Sequence, residues 1–178
     1  GNISRSLTMI VGIAVASMAV ILAGVYQDAY DDMLDNKVPL AMMGGQYEYG
    51  FRDFQSENNY GGYGIMDVSF GVDGTDSMFN LIGYDEGCPL LTAETISGAS
   101  MEYGGFYMTS SAARIFGVES GDEFTFYDLI SMEHTTITIS DIVENDVLSL
   151  MITSKANVAQ IIGRNAEGFN VIISEGPL

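Results

Sequence analysis

The chain has little positive charge, one cysteine and one histidine, and each shortage excludes a class of function. Its 178 residues include 6 Lys and Arg against 24 Asp and Glu, for a formal charge of −18 at pH 7. So acidic a surface repels phosphate, which argues against nucleic acid as a partner. Cys88 alone cannot form an internal disulfide or a multi-cysteine zinc site, and His134 alone excludes histidine-rich metal sites and most catalytic triads.

Catalytic motifs are scarce as well. The sequence has no Gly-x-Ser-x-Gly elbow and no Gly-x-x-x-x-Gly-Lys-Ser/Thr phosphate loop. Acidic pairs such as Asp85-Glu86 and Asp122-Glu123 are sequence neighbours, and neighbours on a strand point in different directions. His134 lies at the mouth of a predicted strand, where a turn or edge position explains it. We therefore expect no enzymatic activity, no cofactor and no metal site.

Apolar residues, in contrast, are abundant, and one long run of them lies near the start. Residues 7–25 carry no charged side chain. As a helix this run spans roughly 28 Å, close to the ~30 Å hydrocarbon core of a bilayer. Arg5 precedes it, so the positive-inside rule, in which acidic residues count for little, places the N-terminus in the cytoplasm. The sequence predicts a cytoplasmic stub at 1–6, a transmembrane helix at 7–26 in the plasma membrane, and an extracytoplasmic remainder after about 27.

Two alternatives to a membrane helix stay open at this point. A signal peptide also has a basic start and an apolar middle, and Ala14-Val15-Ala16 resembles a cleavage site. A buried helix of a soluble fold is the other. Cleavage after Ala16 would leave a strongly apolar new N-terminus, which favours a retained membrane helix.

Two short sets of residues in this region are candidate packing surfaces. Small residues four positions apart let another membrane helix approach closely, although such residues are also common in membrane spans. They are Gly12, Ala16, Ala19 and Ala23. A stalk helix is predicted at 27–36, with Tyr30, Met33 and Leu34 on one face and aspartates on the solvated face.

Residues 37–178 predict an extracytoplasmic α+β domain. Strands are predicted at 46–51, 65–72, 77–84, 105–109, 123–127, 135–143, 148–153 and 169–174. Helices are predicted at 111–116 and 155–162, with Ser110 and Ser154 as caps and Gly117 and Gly163 at their ends. The Asp73-Gly74 pair predicts a hairpin turn, which accounts for Asp73 and Asp76 without a catalytic role.

A loop rich in tyrosine and glycine is the candidate ligand site. Asn58, Tyr60 and Tyr63 lie in a segment with loop composition, and tyrosines can bind sugars or peptides by stacking. A core or edge role for the same tyrosines is the competing interpretation.

Three stretches of the chain resemble one family. They are Ser4 to Ala14, with its arginine, Leu-Thr and Gly-Ile-Ala; Phe106 to Phe126, with a Ser-x-Ala-Ala helix, Phe-Gly and Gly-Asp-x-Phe-Thr; and Ile137 to Val143 followed by Leu150 to Ile162. In this order they resemble the first membrane helix and extracytoplasmic domain of FtsX-like and MacB-like ABC transporter permeases. The segment 44–64 has no counterpart in the resemblance.

The resemblance implies a fold, a function and partners. The fold would be of the MacB-like periplasmic core type, and the domain would be non-catalytic, coupling cytoplasmic ATP hydrolysis to export or to mechanical work outside the membrane. Its partners would be a separate cytoplasmic ABC ATPase and further permease membrane helices, in a homodimer. The alternative is a membrane-anchored extracellular sensor or ligand-binding module with a single membrane helix.

Overall fold

The computed structural model describes residues 17–18, 20–22, 25–27, 47–88, 95–146 and 148–178. The chain divides into two compact units, Gly1–Val38 and Pro39–Leu178. The described residues of the first unit are helical, and its described apolar side chains, Met18, Val20, Ile21, Leu22, Val25 and Tyr26, are exposed. Within the part of the chain that the structure describes, no helix is both long and apolar enough to cross a membrane.

Several predictions fall on residues outside those described. They are the stub at 1–6, most of the membrane helix at 7–26, the stalk at 27–36 except residue 27, the small residues Gly12, Ala16, Ala19 and Ala23, and the stalk face Tyr30, Met33 and Leu34.

The second unit is a mixed α+β structure, which confirms the predicted fold class for its described residues. Its strands are β1 Tyr47–Gln55, β2 Tyr63–Val72, β3 Met78–Tyr84, β4 Tyr107–Thr109, β5 Glu123–Asp128, β6 His134–Thr138, β7 Asp141–Val143, β8 Leu150–Ser154 and β9 Phe169–Ser174. Its helices are α1 Ser110–Phe116 and α2 Lys155–Ile161.

The nine strands form one mixed sheet in the order β1-β9-β2-β3-β8-β4-β7, with β5 paired to β2 and β6 paired to β5. The β3–β8 and β4–β7 pairs are parallel, and the others are antiparallel. The β2–β3 connection is the predicted hairpin, closed by a hydrogen bond from Val72 N to Ser77 O. Gly74 takes the left-handed conformation there (φ 72°), which glycine adopts without a steric penalty.

The apolar core lies on both faces of the sheet. Adjacent residues on a strand point to opposite faces. On β2, Met66 belongs to one buried cluster and Ile65 to the other, and on β8 Met151 and Ile152 divide in the same way. Every residue of β8 is buried, as expected of a strand covered on both faces. The first cluster is centred on Phe70, Phe79, Phe124 and Phe126, and the Phe70 and Phe126 rings pack edge to face at 5.0 Å.

Apart from shifts in strand ends, the structure departs from the predicted elements in one helix cap and one strand. Thr109 rather than Ser110 caps α1, because the Ser110 hydroxyl bonds instead to Asp146 Oδ1 and accepts from Asn145 N. The single strand predicted at 135–143 is two strands, β6 and β7. The pairing of β6 with β5 ends at Thr138, and the backbone N–H of Ser140 donates instead to Phe106 O. The cap of α2 at Ser154 is as predicted, with Ser154 Oγ accepting from Asn157 N.

Asn170 fills a gap between two strand pairings. Both β9 and β5 pair with β2, at residues 63–65 and 70–72 respectively. Between them, Asn170 Oδ1 accepts from Asp67 N at 2.8 Å, and Asn170 Nδ2 donates to Asp67 O at 2.7 Å. The side-chain amide thus supplies both hydrogen bonds that a paired backbone would make.

We expect Asn170→Ala to lower the free energy of unfolding by about 1–2 kcal/mol, because it leaves two partly buried backbone groups without partners. Urea denaturation measures the loss. The control is Asn80→Ala, which removes only exposed side-chain hydrogen bonds and should cost less. Equal losses for the two variants would contradict this role of Asn170.

Asp67 also carries a pH-dependent contribution. Burial raises the pKa of its carboxyl above 3.8, the hydrogen bond from Asn80 opposes the rise, and repulsion from Glu48 adds to it. The folded state therefore favours the protonated form, so the stabilisation is full below 3.8 and is lost as the pH rises through the raised pKa. We expect Asp67→Asn to be more stable than the parent at pH 7, with a gain that shrinks as the pH falls through the raised pKa and is largely lost by about pH 3. Thermal unfolding at both pH values tests this, and a pH-independent difference would refute it.

Candidate functional site

The predicted ligand loop is held by its own hydrogen bonds. Asn58 Nδ2 donates to Gly62 O at 3.0 Å, and Asn58 Oδ1 accepts from Tyr60 N at 3.2 Å. The Tyr60 ring lies 5.4 Å from the Phe51 ring of β1, and Tyr63 begins β2. Tyr60 and Tyr63 both stay exposed. The Asn58 side chain is thus hydrogen-bonded to the backbone of its own loop, and the two tyrosine rings remain accessible to solvent.

A cavity of about 380 Å³ lies beside this loop. Its lining residues are Asn58, Gly64, Asp85, Lys155, Ala166, Glu167 and Phe169. Lys155, the first residue of α2, is only 4% exposed. Its Nζ donates to Asp85 Oδ2 at 3.0 Å, while the Asp85 side chain is 61% exposed. The pair joins the start of α2 to the end of β3, so its position is explained by the fold.

A larger groove, of about 520 Å³, opens at another part of the domain. It lies between the β2–β3 turn, the C-terminal end of α1 and the start of β5. Its lining residues are Val72, Asp73, Thr75, Ser77, Ile115, Phe116, Gly117, Val118, Asp122, Glu123, Phe124 and Thr125. Three of these are acidic and none is basic, so the groove has a negative potential. We call it the acidic groove.

The acidic groove lacks the geometry of a metal centre. Among the residues that the structure describes, no three His, Cys, Asp or Glu side chains lie close enough to hold a metal ion. Asp122 Oδ2 accepts from Glu119 N at 2.9 Å, and Asp73 Oδ1 lies 3.4 Å from His134 Nδ1. The three carboxylates of the groove therefore do not converge on one point.

The loop between β5 and β6 exposes apolar side chains at the end of β5 opposite to Glu123. Leu129, Ile130 and Met132 are 41%, 95% and 59% exposed. We call these three residues the hairpin tip. Asp128 organises the loop, because its Oδ1 accepts from Ile130 N and Ser131 N at 2.8 and 2.7 Å. The backbone hydrogen bond from Ser131, followed by the one from Ile130, holds the pKa of Asp128 below its usual range despite the opposing effect of burial.

Sequence reasoning did not identify the acidic groove or the hairpin tip. The groove brings together three segments that are separated in sequence, so no local pattern marks it. The tip did carry a signal: three large apolar residues lie in a short connection between two strands, where polar turn residues are usual. The small-residue and stalk faces remain predictions.

Comparison with known proteins shows a structural similarity but no family match. No family model matches it, and no curated protein matches it. Among solved structures, it is similar to the extracellular domain of a noncanonic ABC-type transporter, YknZ, from Gram-positive bacteria. The two share 11% sequence identity with a TM-score of 0.45, over 78% of this chain and 71% of that one. A likeness at this identity and TM-score does not show a common function.

Proposed function

We propose that the chain is the first membrane helix and extracytoplasmic domain of an FtsX-like or MacB-like ABC transporter permease. The domain would be non-catalytic and would couple ATP hydrolysis by a separate cytoplasmic ATPase to export or mechanical work outside the membrane. The permease would work as a homodimer, with further membrane helices alongside the first.

The observation that carries the proposal is the order of features along the chain. An uncharged run at 7–25 is followed by acidic residues and then by a mixed α+β unit. Within that unit, β4, α1 and β5 follow one another as strand, helix and strand. This is the order of the motifs in Phe106 to Phe126 that resemble the family. The apolar run has the length of a membrane helix, and Arg5 before it favours a cytoplasmic N-terminus.

Membrane topology provides the first test. Because the chain has a single native cysteine, one substitution gives a cysteine-free background for labelling. In a Cys88→Ser background, one variant carries Asn2→Cys and another carries Asp53→Cys, at an exposed position on β1. An impermeant maleimide should label the Asp53→Cys protein in intact spheroplasts and the Asn2→Cys protein only after permeabilisation. Labelling of both cysteines in intact spheroplasts, or of neither, would contradict the proposed orientation.

Co-purification provides the second test and separates the two function classes. The protein is isolated from native membranes in mild detergent, and the bound subunits are identified and quantified. An ABC ATPase in stoichiometric amount supports the permease. A membrane-anchored chain that recovers no ATPase, although its topology is as predicted, supports the sensor alternative.

A further inference from the structure

Lys155 has hydrogen-bond donors that the fold leaves unused. The residue is 4% exposed, and its Nζ donates to Asp85 Oδ2 at 3.0 Å, which is its one side-chain hydrogen bond to the residues that the structure describes. An ammonium carries three N–H donors, and a buried donor without an acceptor costs free energy. Because Lys155 also lines the cavity of about 380 Å³, an occupant of that cavity can supply the missing acceptors.

Stability alone does not favour a lysine at this place. A buried ion pair is often no better for stability than apolar side chains of similar volume. Lys155 is also the first residue of α2, and the N–H groups that begin a helix carry partial positive charge, which disfavours a cation. The first turn of α2, which the structure describes in full, contains no acidic residue to offset this cost. The fold therefore explains where the ion pair lies, but it does not explain the choice of a lysine.

The cavity carries charges of both signs. Asp85 and Glu167 line it together with Lys155. Both acids are exposed, and the Glu167 carboxylate has no hydrogen bond or ion pair with any residue that the structure describes. An anion would be repelled by the two carboxylates, and a cation would be repelled by the buried ammonium. The ligand that best complements this cavity therefore carries a positive and a negative group close together.

The walls of the cavity are preformed and leave room for a small ligand. Gly64 lies directly against the Phe169 ring, since an added Cβ would be 2.8 Å from Phe169 Cγ. The Asn58 side chain is hydrogen-bonded within its own loop at 3.0 and 3.2 Å. Small-molecule sites usually measure about 300–1,000 Å³, so this cavity is near the lower end of the range. Preformed walls also reduce the ordering cost of binding.

We propose that this cavity binds a free α-amino acid in its zwitterionic form. The carboxylate of the ligand would accept hydrogen bonds from the Lys155 ammonium, and the ammonium of the ligand would face Asp85 and Glu167. In an α-amino acid both charged groups are attached to one carbon atom, which gives the close spacing that the charges of the cavity favour. The inference does not rest on the transporter assignment, because it concerns only residues of the second unit.

Isothermal titration calorimetry of the full chain in non-ionic detergent tests the proposal, with empty micelles as the blank. L-alanine is the probe, because it carries both charges and a very small side chain. We expect a Kd of about 1 mM or below. N-acetyl-L-alanine lacks the ammonium and L-alaninamide lacks the carboxylate, so each should bind at least about tenfold more weakly than L-alanine.

Two substitutions separate the charges of the site. Lys155→Met removes the partner of the carboxylate, so it should weaken L-alanine binding by about tenfold or more and leave L-alaninamide binding unchanged. Glu167→Gln removes one partner of the ammonium at an exposed position, and we expect a loss of about threefold. Glu86→Gln is the matched control, because Glu86 follows Asp85 in sequence and is not one of the described lining residues. It should bind L-alanine within about twofold of the parent.

Four outcomes would overturn the proposal. The folded parent could show no heat of binding from L-alanine at about ten times the expected Kd. L-alaninamide could bind as tightly as L-alanine, which would mean that the carboxylate is not recognised. D-glucose could bind as tightly as L-alanine, which would indicate a neutral hydroxylated ligand. Finally, Lys155→Met could bind L-alanine like the parent, with circular dichroism showing that the variant is folded. The ligand series on the parent needs no variant, so it decides the matter even if Lys155→Met does not fold.

Discussion

Asp85→Ala is expected to lower the free energy of unfolding by about 2–3 kcal/mol, whereas Lys155→Met should leave it within about 1 kcal/mol of the parent. Removing the carboxylate leaves the Lys155 ammonium, 4% exposed, without its partner. Replacing the lysine by methionine keeps the buried apolar stem and removes the charge that must be desolvated. The expected loss of unfolding free energy is smaller than for a fully buried ion pair, because the Asp85 side chain is 61% exposed.

The double variant makes this prediction sharper. With Lys155→Met in place, Asp85→Ala should cost almost nothing, because no buried charge remains to be left alone. Glu86→Ala is the matched control, since Glu86 is the neighbouring exposed acid, and its effect should stay within about 0.5 kcal/mol. If Asp85→Ala costs the same with and without Lys155, the ion pair does not fix the start of α2.

Gly83→Ala is expected to cost roughly 2–3 kcal/mol, the upper part of the range for overpacking. Gly83 lies on β3 directly under α2. An added Cβ would lie 2.7 Å from Val158 Cγ2 and 3.0 Å from Lys155 Cα, which is a backbone atom. The helix itself would therefore have to move away from the sheet. Chemical denaturation of the purified protein measures the change.

Two further variants isolate the steric cause. At Gly87 an added Cβ meets nothing within 4 Å, so Gly87→Ala should change stability by about 0.5 kcal/mol or less. Val158→Ala removes one of the two clashing groups, so Gly83→Ala should cost less in that background than alone. A cost that is the same in both backgrounds would show that close packing of α2 on β3 is not the reason.

Local sequence patterns correctly predicted the structural elements that depend only on residues close together in the chain. The last strand, at 169–174, and the turn after Val72 were predicted correctly, because strand periodicity and Asp-Gly turn chemistry act over short distances. Ser154 was predicted correctly as the cap of α2, whereas the same reasoning failed at Ser110. The two serines sit in similar local sequences, and only Ser110 meets a distant acceptor, Asp146.

The continuous strand predicted at 135–143 shows the same limit. Its alternating pattern is unbroken in sequence, yet β6 pairs with β5 and β7 pairs with β4. Which neighbour a strand joins depends on residues far away in the chain, so periodicity alone cannot reveal a change of partner. Asn58 and Tyr60 lie in a loop as predicted, whereas Tyr63 begins β2. The Asn58 amide is occupied by backbone contacts that composition does not show.

By itself the sequence determined the charge of the chain, the uncharged run at 7–25, most strands and both helices, because these follow from composition and from neighbours along the chain. Only the tertiary structure decided that both faces of the sheet are covered, that Lys155 is buried, and that three acidic residues from separate segments line one groove. Each of these depends on contacts between distant residues, as in the pairing of Asp67 with Asn170 across 103 positions. Such contacts form only when the whole chain packs, and no window of sequence contains them.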